Sequence, residues 1–253
     1  MIITKTPFRI SFVGGGSDLP AYYEKQRGAV LSTSIDKYMY ISTHAFFERN
    51  KIRCKYSQTE TVDNVKDLQH PILRTVLKDF NLNGIEVSSI ADIPGGTGMG
   101  SSSSFTVGLL HNLSTYTGRS YGKQELGAGA CRVEIDLLNE PIGKQDQYAA
   151  AYGGLNVIEF NPDGTVDVQP VNISEETRAT LNSNLKLYYL GNQRSASAIL
   201  AEQKKNTSQE SKFQALSTMV GLVYELRDAL EAGDLNNFGA LLHKNWLLKQ
   251  QLA

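Results

Sequence analysis

Pro94-Gly95-Gly96-Thr97-Gly98-Met99-Gly100-Ser101-Ser102-Ser103-Ser104 stands between a strand pattern, Gly84 to Ile93 (GIEVSSIADI), and a segment whose apolar residues Phe105, Leu109, Leu113 and Tyr116 recur at helical spacing. Glycines let backbone N–H groups approach phosphate oxygens, and serines add hydroxyl donors. The helix that follows presents unpaired amides and its positive dipole end to an anion. A strand, a Gly/Ser loop and a helix in this order make a phosphate cradle. It is not a Walker A loop, because no Gly-Lys-Ser/Thr closes it, and its GGxGxG spacing differs from the dinucleotide fingerprint. A flexible linker of the same composition would join separate domains, whereas this run joins elements too closely spaced for that.

Outward from the cradle, the N-terminal side alternates short strands and helices. Phe8, Ile10 and Phe12 repeat at period two and stop at Gly14-Gly15-Gly16. Ala29 to Ser42 reads as one long strand or a hairpin, Ile52, Cys54 and Tyr56 continue as a strand, and Pro71 to Phe80 as a helix. On the C-terminal side Gly118 is a helix stop, Lys123 to Asn139 a second helix broken by Pro141-Ile142-Gly143, and Leu155 to Phe160 a strand. Asn161-Pro162-Asp163-Gly164 is a turn, followed by a strand at Leu185 to Leu190 and three helical segments, the last from Asp234. This pattern predicts two domains, residues 1–165 and 180–253.

Two groups of side chains carry further chemistry. Glu134 lies on the second helix and Asp146 beyond its break, within CRVEIDLLNEPIGKQDQYAAAYGG. Phosphoryl transfer from a nucleotide uses one carboxylate for Mg2+ and another to orient or deprotonate the acceptor hydroxyl. Either residue alone reads by default as a solvated surface acid, but small apolar residues and paired glycines follow Asp146. In Thr6 to Asp18 (TPFRISFVGGGSD), Arg9 sits in an alternating strand and Asp18 just past a glycine turn, where it can reach a ligand's hydroxyls. An exposed edge Arg and an Asx turn describe the same pair equally well.

Composition excludes several classes. The 253 residues are 41 % hydrophobic and 20 % charged, with 25 basic against 26 acidic side chains. This is a folded domain with no broad electrostatic reason to bind nucleic acid or an anionic membrane. No apolar run approaches the ~18 residues needed to cross a bilayer, and MIITKTPFRISFVGGG is no signal peptide, so a cytoplasmic location is expected. Cys54 and Cys131 form no CxxC, and His44, His70, His111 and His243 are scattered, so no zinc site is expected.

Taken together, the three pieces resemble the GHMP kinases, the family of galactokinase, homoserine kinase, mevalonate kinase and phosphomevalonate kinase. The cradle matches their Pro-x-x-x-Gly-Leu-Gly-Ser-Ser-Ala motif, with Met99 for Leu and Ser103 for Ala. The galactokinase stretch Ala-Pro-Gly-Arg-Val-Asn-Leu-Ile-Gly-Glu-His-Thr-Asp aligns without a gap on Thr6 to Asp18, keeping Pro7, Arg9, Gly14 and Asp18. Asp146-Gln147 matches the family's Asp-Gln. The triple glycine, Ile35 to Tyr38 and Gly191 to Ala196 are similar to the heptose 7-phosphate kinase branch.

The resemblance implies an α+β fold of two domains, an N-terminal one of mixed sheet and helices and a helix-rich C-terminal one, with ATP and sugar meeting between them. It implies ATP and Mg2+ as cofactors and transfer of the γ-phosphoryl to the C1 hydroxyl of a heptose 7-phosphate. Residues 94–104 would hold the triphosphate, and Ser102 and Glu134 the Mg2+, with Ser101 nearly as good a candidate as Ser102. Asp146 would serve the acceptor hydroxyl, Arg9 would stabilise charge near the transferred group, and Gly15, Gly16, Ser17 and Asp18 would form the sugar site. Gly15-Gly16 stand where galactokinases have Glu-His, which opens space and deletes a negative charge that would repel a sugar phosphate, although a tight turn alone accounts for the two glycines equally well. A kinase of an unphosphorylated sugar and a non-catalytic sensor are the alternatives. The expected partner is a small-molecule sugar phosphate, with a homodimer also allowed. The family's third, C-terminal glycine-rich motif is not found before Ala253, where the chain stops inside an amphipathic pattern, so an incomplete and weakly active chain is expected.

Overall fold

The computed structural model describes residues 1–189, 191 and 210–252. Along the chain run β1 (Ile2–Gly14), α1 (Pro20–Tyr23), β2 (Gly28–Ala45), β3 (Ile52–Lys55), β4 (Thr59–Val62), α2 (Pro71–Phe80), β5 (Ile85–Ala91), α3 (Ser101–Tyr116), α4 (Lys123–Cys131), a π-helical turn (Arg132–Leu137), α5 (Gln145–Tyr152), β6 (Leu155–Phe160), β7 (Val166–Pro170), α6 (Glu175–Asn184), α7 (Glu210–Glu231) and α8 (Phe238–Gln250). This is the mixed α+β content expected.

Two compact units form: Met1–Phe8, Ile35–Glu140 and Asp146–Tyr152 make the first, and Arg9–Ser34, Pro141–Gln145 and Gly153–Ala253 the second. The division differs from a single boundary after residue 165. The long strands β1 and β2 each give residues to both units, and the chain re-enters the first unit at Asp146.

In the first unit Met39–Ala45 of β2 pairs antiparallel with β5, β5 runs parallel to β3, and β3 is antiparallel to β4. Phe8, Ile41, Ile52 and Val87 from the strands share one core with Leu73 and Leu77 of α2 and Leu109 and Leu113 of α3. Truncating a fully buried leucine here, such as Leu77 or Leu109, costs about 2–5 kcal/mol. Helix α2 starts where Pro71 fits the first turn and His70 Nδ1 accepts from Leu73 N–H, and it ends at Asn81 in the left-handed region.

Helix α3 carries polar residues on a buried side because that side is stitched to β1 and β2. Ser104 Oγ donates to Pro7 O at 2.9 Å, Thr4 Oγ1 to Gly108 O at 3.0 Å, and Asn112 Nδ2 to Ile41 O at 2.8 Å. Gly108 lets α3 approach closely, since a Cβ there would lie 2.7 Å from Thr6 Oγ1.

In the second unit Gly28–Thr33 of β2 pairs antiparallel with β6, and β6 with β7. Leu216, Met219, Val223 and Leu226 of α7 pack with Phe12, Leu31 and Val157. The strand expected at Leu185 to Leu190 is absent over 185–189, while Leu190 lies outside the described residues. The regular element is instead α6, because Ser174 Oγ caps Thr177 N–H at 3.0 Å and Glu175 and Glu176 favour its positive end. Helix α8 starts at Phe238 rather than Asp234, because Gly233 is left-handed and Asp234 Oδ1 binds Asn236 N–H in a turn. Of the motif Gly191 to Ala196, only Gly191 is among the described residues.

Candidate active site

The cradle's shape comes from three glycines. Gly96, Gly98 and Gly100 have φ of 74°, 76° and 73°, a conformation that favours glycine, and Gly100 is the N-cap of α3. With no side chain at the cap, the first-turn amides of a 16-residue helix stay available to a ligand. Thr97 Oγ1 braces the loop through Pro94 O at 3.2 Å.

Behind the cradle lies Glu134, 1 % exposed in the π-helical turn. Its Oε1 accepts from Ser102 Oγ at 2.8 Å and Thr106 Oγ1 at 2.9 Å, and its Oε2 from Ser103 Oγ at 2.8 Å and Gln147 Nε2 at 2.7 Å. Burial pushes its pKa above the usual carboxylate value, and these four hydrogen bonds pull against that shift. Sequence left Ser101 and Ser102 interchangeable, but the contact to Glu134 falls to Ser102 and Ser103. Thr106 stands outside the motifs legible in sequence. Its spacing of four and three residues from those serines puts all three hydroxyls on one helix face.

Adjacent ligand oxygens of an octahedral Mg2+ with bonds of about 2.0–2.1 Å are about 2.9 Å apart. The 2.8 Å between Ser102 Oγ and Glu134 Oε1 fits that edge. Among the described residues no three His, Cys, Asp or Glu side chains gather for a metal. An ion here would therefore rest on one carboxylate, a hydroxyl and a ligand's phosphates, the usual environment of Mg2+.

A cavity of about 480 Å³ adjoins the cradle in the same unit, lined among others by Tyr56, His70, Ile93, Phe105, Ser102 and Glu134. No local motif announces it, since its walls come from elements far apart in sequence. The His70 ring stands edge-on to Tyr56 at 4.8 Å and lies 5.1 Å from Phe105. Glu60 holds this wall by accepting from Tyr56 Oη at 2.7 Å and Gln69 N–H at 2.6 Å. Burial lowers the His70 pKa from its usual 6.5, while the Glu60 charge pulls it back up.

Asp146 is half-buried in the first turn of α5, directly before Gln147, so the first unit brings one carboxylate's helix against the other carboxylate. The second unit assembles the glycine turn. Gly14, Gly15 and Gly16 have φ of 83°, 87° and 82°, and Gly14 N–H donates to Asn245 Oδ1 of α8 at 3.0 Å. A Cβ on Gly14 would strike Ala29 O and Val223. Asp18, 3 % exposed, accepts from Gly16 N–H at 2.9 Å and Gln145 N–H at 3.3 Å. The Ser17 hydroxyl is bound both ways to Ala29, donating to its carbonyl and accepting from its N–H, each at 3.1 Å. Arg9 is half-buried on β1.

Residues 67–154 match the family described as the GHMP kinases N terminal domain. The D-glycero-alpha-D-manno-heptose 7-phosphate kinase of Campylobacter jejuni is 29 % identical over the whole of this chain and 78 % of its own length. The L-fucokinase/L-fucose-1-P guanylyltransferase of Bacteroides fragilis is 31 % identical, with 69 % of this chain aligned to 18 % of that protein. The crystal structure of a D-glycero-D-manno-heptose 1-phosphate kinase from Bacteroides thetaiotaomicron superposes with a TM-score of 0.84 at 23 % identity, covering 99 % of this chain and 80 % of that one.

Proposed function

The chain carries the N-terminal domain of the GHMP kinases, and from that premise we propose that it transfers the γ-phosphoryl of ATP to the C1 hydroxyl of a heptose 7-phosphate. The observation that carries this reading is the Glu134 carboxylate, which is buried behind a helix-capped glycine cradle and bonded to the residue that follows Asp146. That is the layout phosphoryl transfer asks for, since the reaction is mostly positioning and charge stabilisation.

The cradle amides bind the phosphates, and the aromatic cavity beside them takes the nucleoside. Ser102 and Glu134 would hold Mg2+, which when bound neutralises charge on the β- and γ-phosphoryl oxygens. Asp146 orients the acceptor hydroxyl and takes its proton as the new O–P bond forms and the bond from the γ-phosphorus to the β,γ-bridging oxygen breaks, releasing ADP. Arg9 offsets negative charge on the transferred group. Gly15 and Gly16 leave room at the glycine turn, while Asp18, with Gly16 and Gln145 on its oxygens, anchors the turn and meets sugar hydroxyls. The fucokinase likeness favours a second reading, a kinase of an unphosphorylated sugar.

Asp146→Asn keeps the shape and removes the basic oxygen. It should lower kcat on the order of 10²-fold or more, with ATP affinity little changed. Turnover above about a third of wild type would reject the assigned role.

A further inference from the structure

Three α3 hydroxyls and one amide from α5 converge on Glu134. The O–H bonds of Ser102, Ser103 and Thr106 can turn to re-aim their protons at the carboxylate, and Thr106 Oγ1 also lies 3.1 Å from Ser102 O. The Gln147 amide is planar, and its side chain is completely buried, so it cannot re-aim in this way. Its Nε2 sits 2.7 Å from Glu134 Oε2, while its own Oε1 is buried with no partner among the described residues. A buried acceptor left unpaired is a cost that an apolar side chain of the same size would avoid. Reversing the amide gives no relief, because it would set oxygen against oxygen at Glu134. The orientation of Gln147 therefore serves the carboxylate rather than its own hydrogen bonding.

We propose that Gln147 is a positioning residue: its amide fixes the plane of the Glu134 carboxylate and ties it to α5, the helix that carries Asp146. This deepens the proposed function and rests on its assignment of Glu134 to Mg2+. Partners that hold a metal ligand from behind are worth about 10–100-fold in metal affinity or activity. Because the cradle's own amides are untouched, metal-free nucleotide binding should not depend on Gln147.

The test compares wild type, Gln147→Met, Gln147→Asn and Glu134→Gln. ADP affinity is measured by calorimetry with a chelator and across a Mg2+ titration, alongside kcat and Tm. Methionine removes the amide at similar volume, and asparagine draws the amide back by one methylene. Both Gln147 variants should bind ADP without metal within about twofold of wild type, yet need about 10–100-fold more Mg2+ for the metal-dependent gain in affinity, with kcat reduced by a similar factor. If Glu134→Gln shifts the Mg2+ requirement but neither Gln147 variant does, the positioning role is overturned and the metal assignment stands. An unshifted Glu134→Gln removes the metal assignment and the inference with it. Equal loss of metal-free ADP binding and of Tm in both Gln147 variants would make the residue structural and overturn the proposal.

Discussion

His70 shows how much one side chain does at the cavity wall. It caps α2 through Nδ1, which accepts only while unprotonated, and it packs between Tyr56 and Phe105. Its folded pKa lies below 6.5, so its contribution to stability is complete above that value and is lost as pH falls through the folded pKa. His70→Asn keeps a capping acceptor that does not titrate. Its Tm should be lower overall, through lost ring packing, but should fall less than that of wild type between about pH 7.5 and pH 5.5. Parallel melting curves would remove His70 as the source of the pH dependence. At the glycine turn, a Cβ on Gly143 would overlap the Asp18 carboxylate and crowd its backbone oxygen. Gly143→Ala should thus lower kcat/KM for the sugar phosphate on the order of 10–100-fold while leaving ADP binding intact. Equal loss of both affinities would point to general misfolding.

Among the elements, α3 does most to place the site, because it carries the cradle's end, three of the Glu134 donors and the polar stitch to β1. Gly108→Val should destabilise the protein by about 1–3 kcal/mol, since even the first carbon meets Thr6 Oγ1 at 2.7 Å, and urea unfolding measures it. A midpoint within error of wild type would show that the stitch yields easily. Helix α2 and strand β6 are legible in sequence because periodicity and boundary residues agree there, whereas α3 starts at Ser101, inside the Gly/Ser run that reads as loop. The predicted helix Lys123 to Asn139 is half legible: its pattern is helical, but the turn from Arg132 on is π-helical, as Leu138 N–H bonds Val133 O at 3.1 Å. Strand β4, with exposed Thr59 and no hydrophobic alternation, gives no periodic signal and forms by pairing with β3.

At the scale of the molecule, the fold class follows from the resemblance that the three motifs carry, whereas nothing in the order of elements marks β1 and β2 as shared between two units. Strands shared between units leave no mark in local composition. The candidate site divides in the same way. The cradle residues and Glu134 stand in motifs, but the cavity wall of Tyr56, His70 and Phe105 and the support from Thr106 depend on tertiary approach. No helix among the described residues is long and apolar enough to cross a membrane. Substrate class is the property on which the two kinase readings part. A sugar phosphate would be favoured where a cation meets its phosphate, since charge-assisted hydrogen bonds are about twice as strong as neutral ones. The most direct measurement is phosphorus NMR of the product formed from ATP and heptose 7-phosphate, run beside the free heptose and L-fucose with wild type and Asp146→Asn. A new anomeric phosphate resonance is expected from heptose 7-phosphate with wild type, far less from either free sugar, and almost none with Asp146→Asn. Equal or faster phosphorylation of a free sugar, or a product whose C1 stays unmodified, would rule out a C1 kinase of a sugar phosphate.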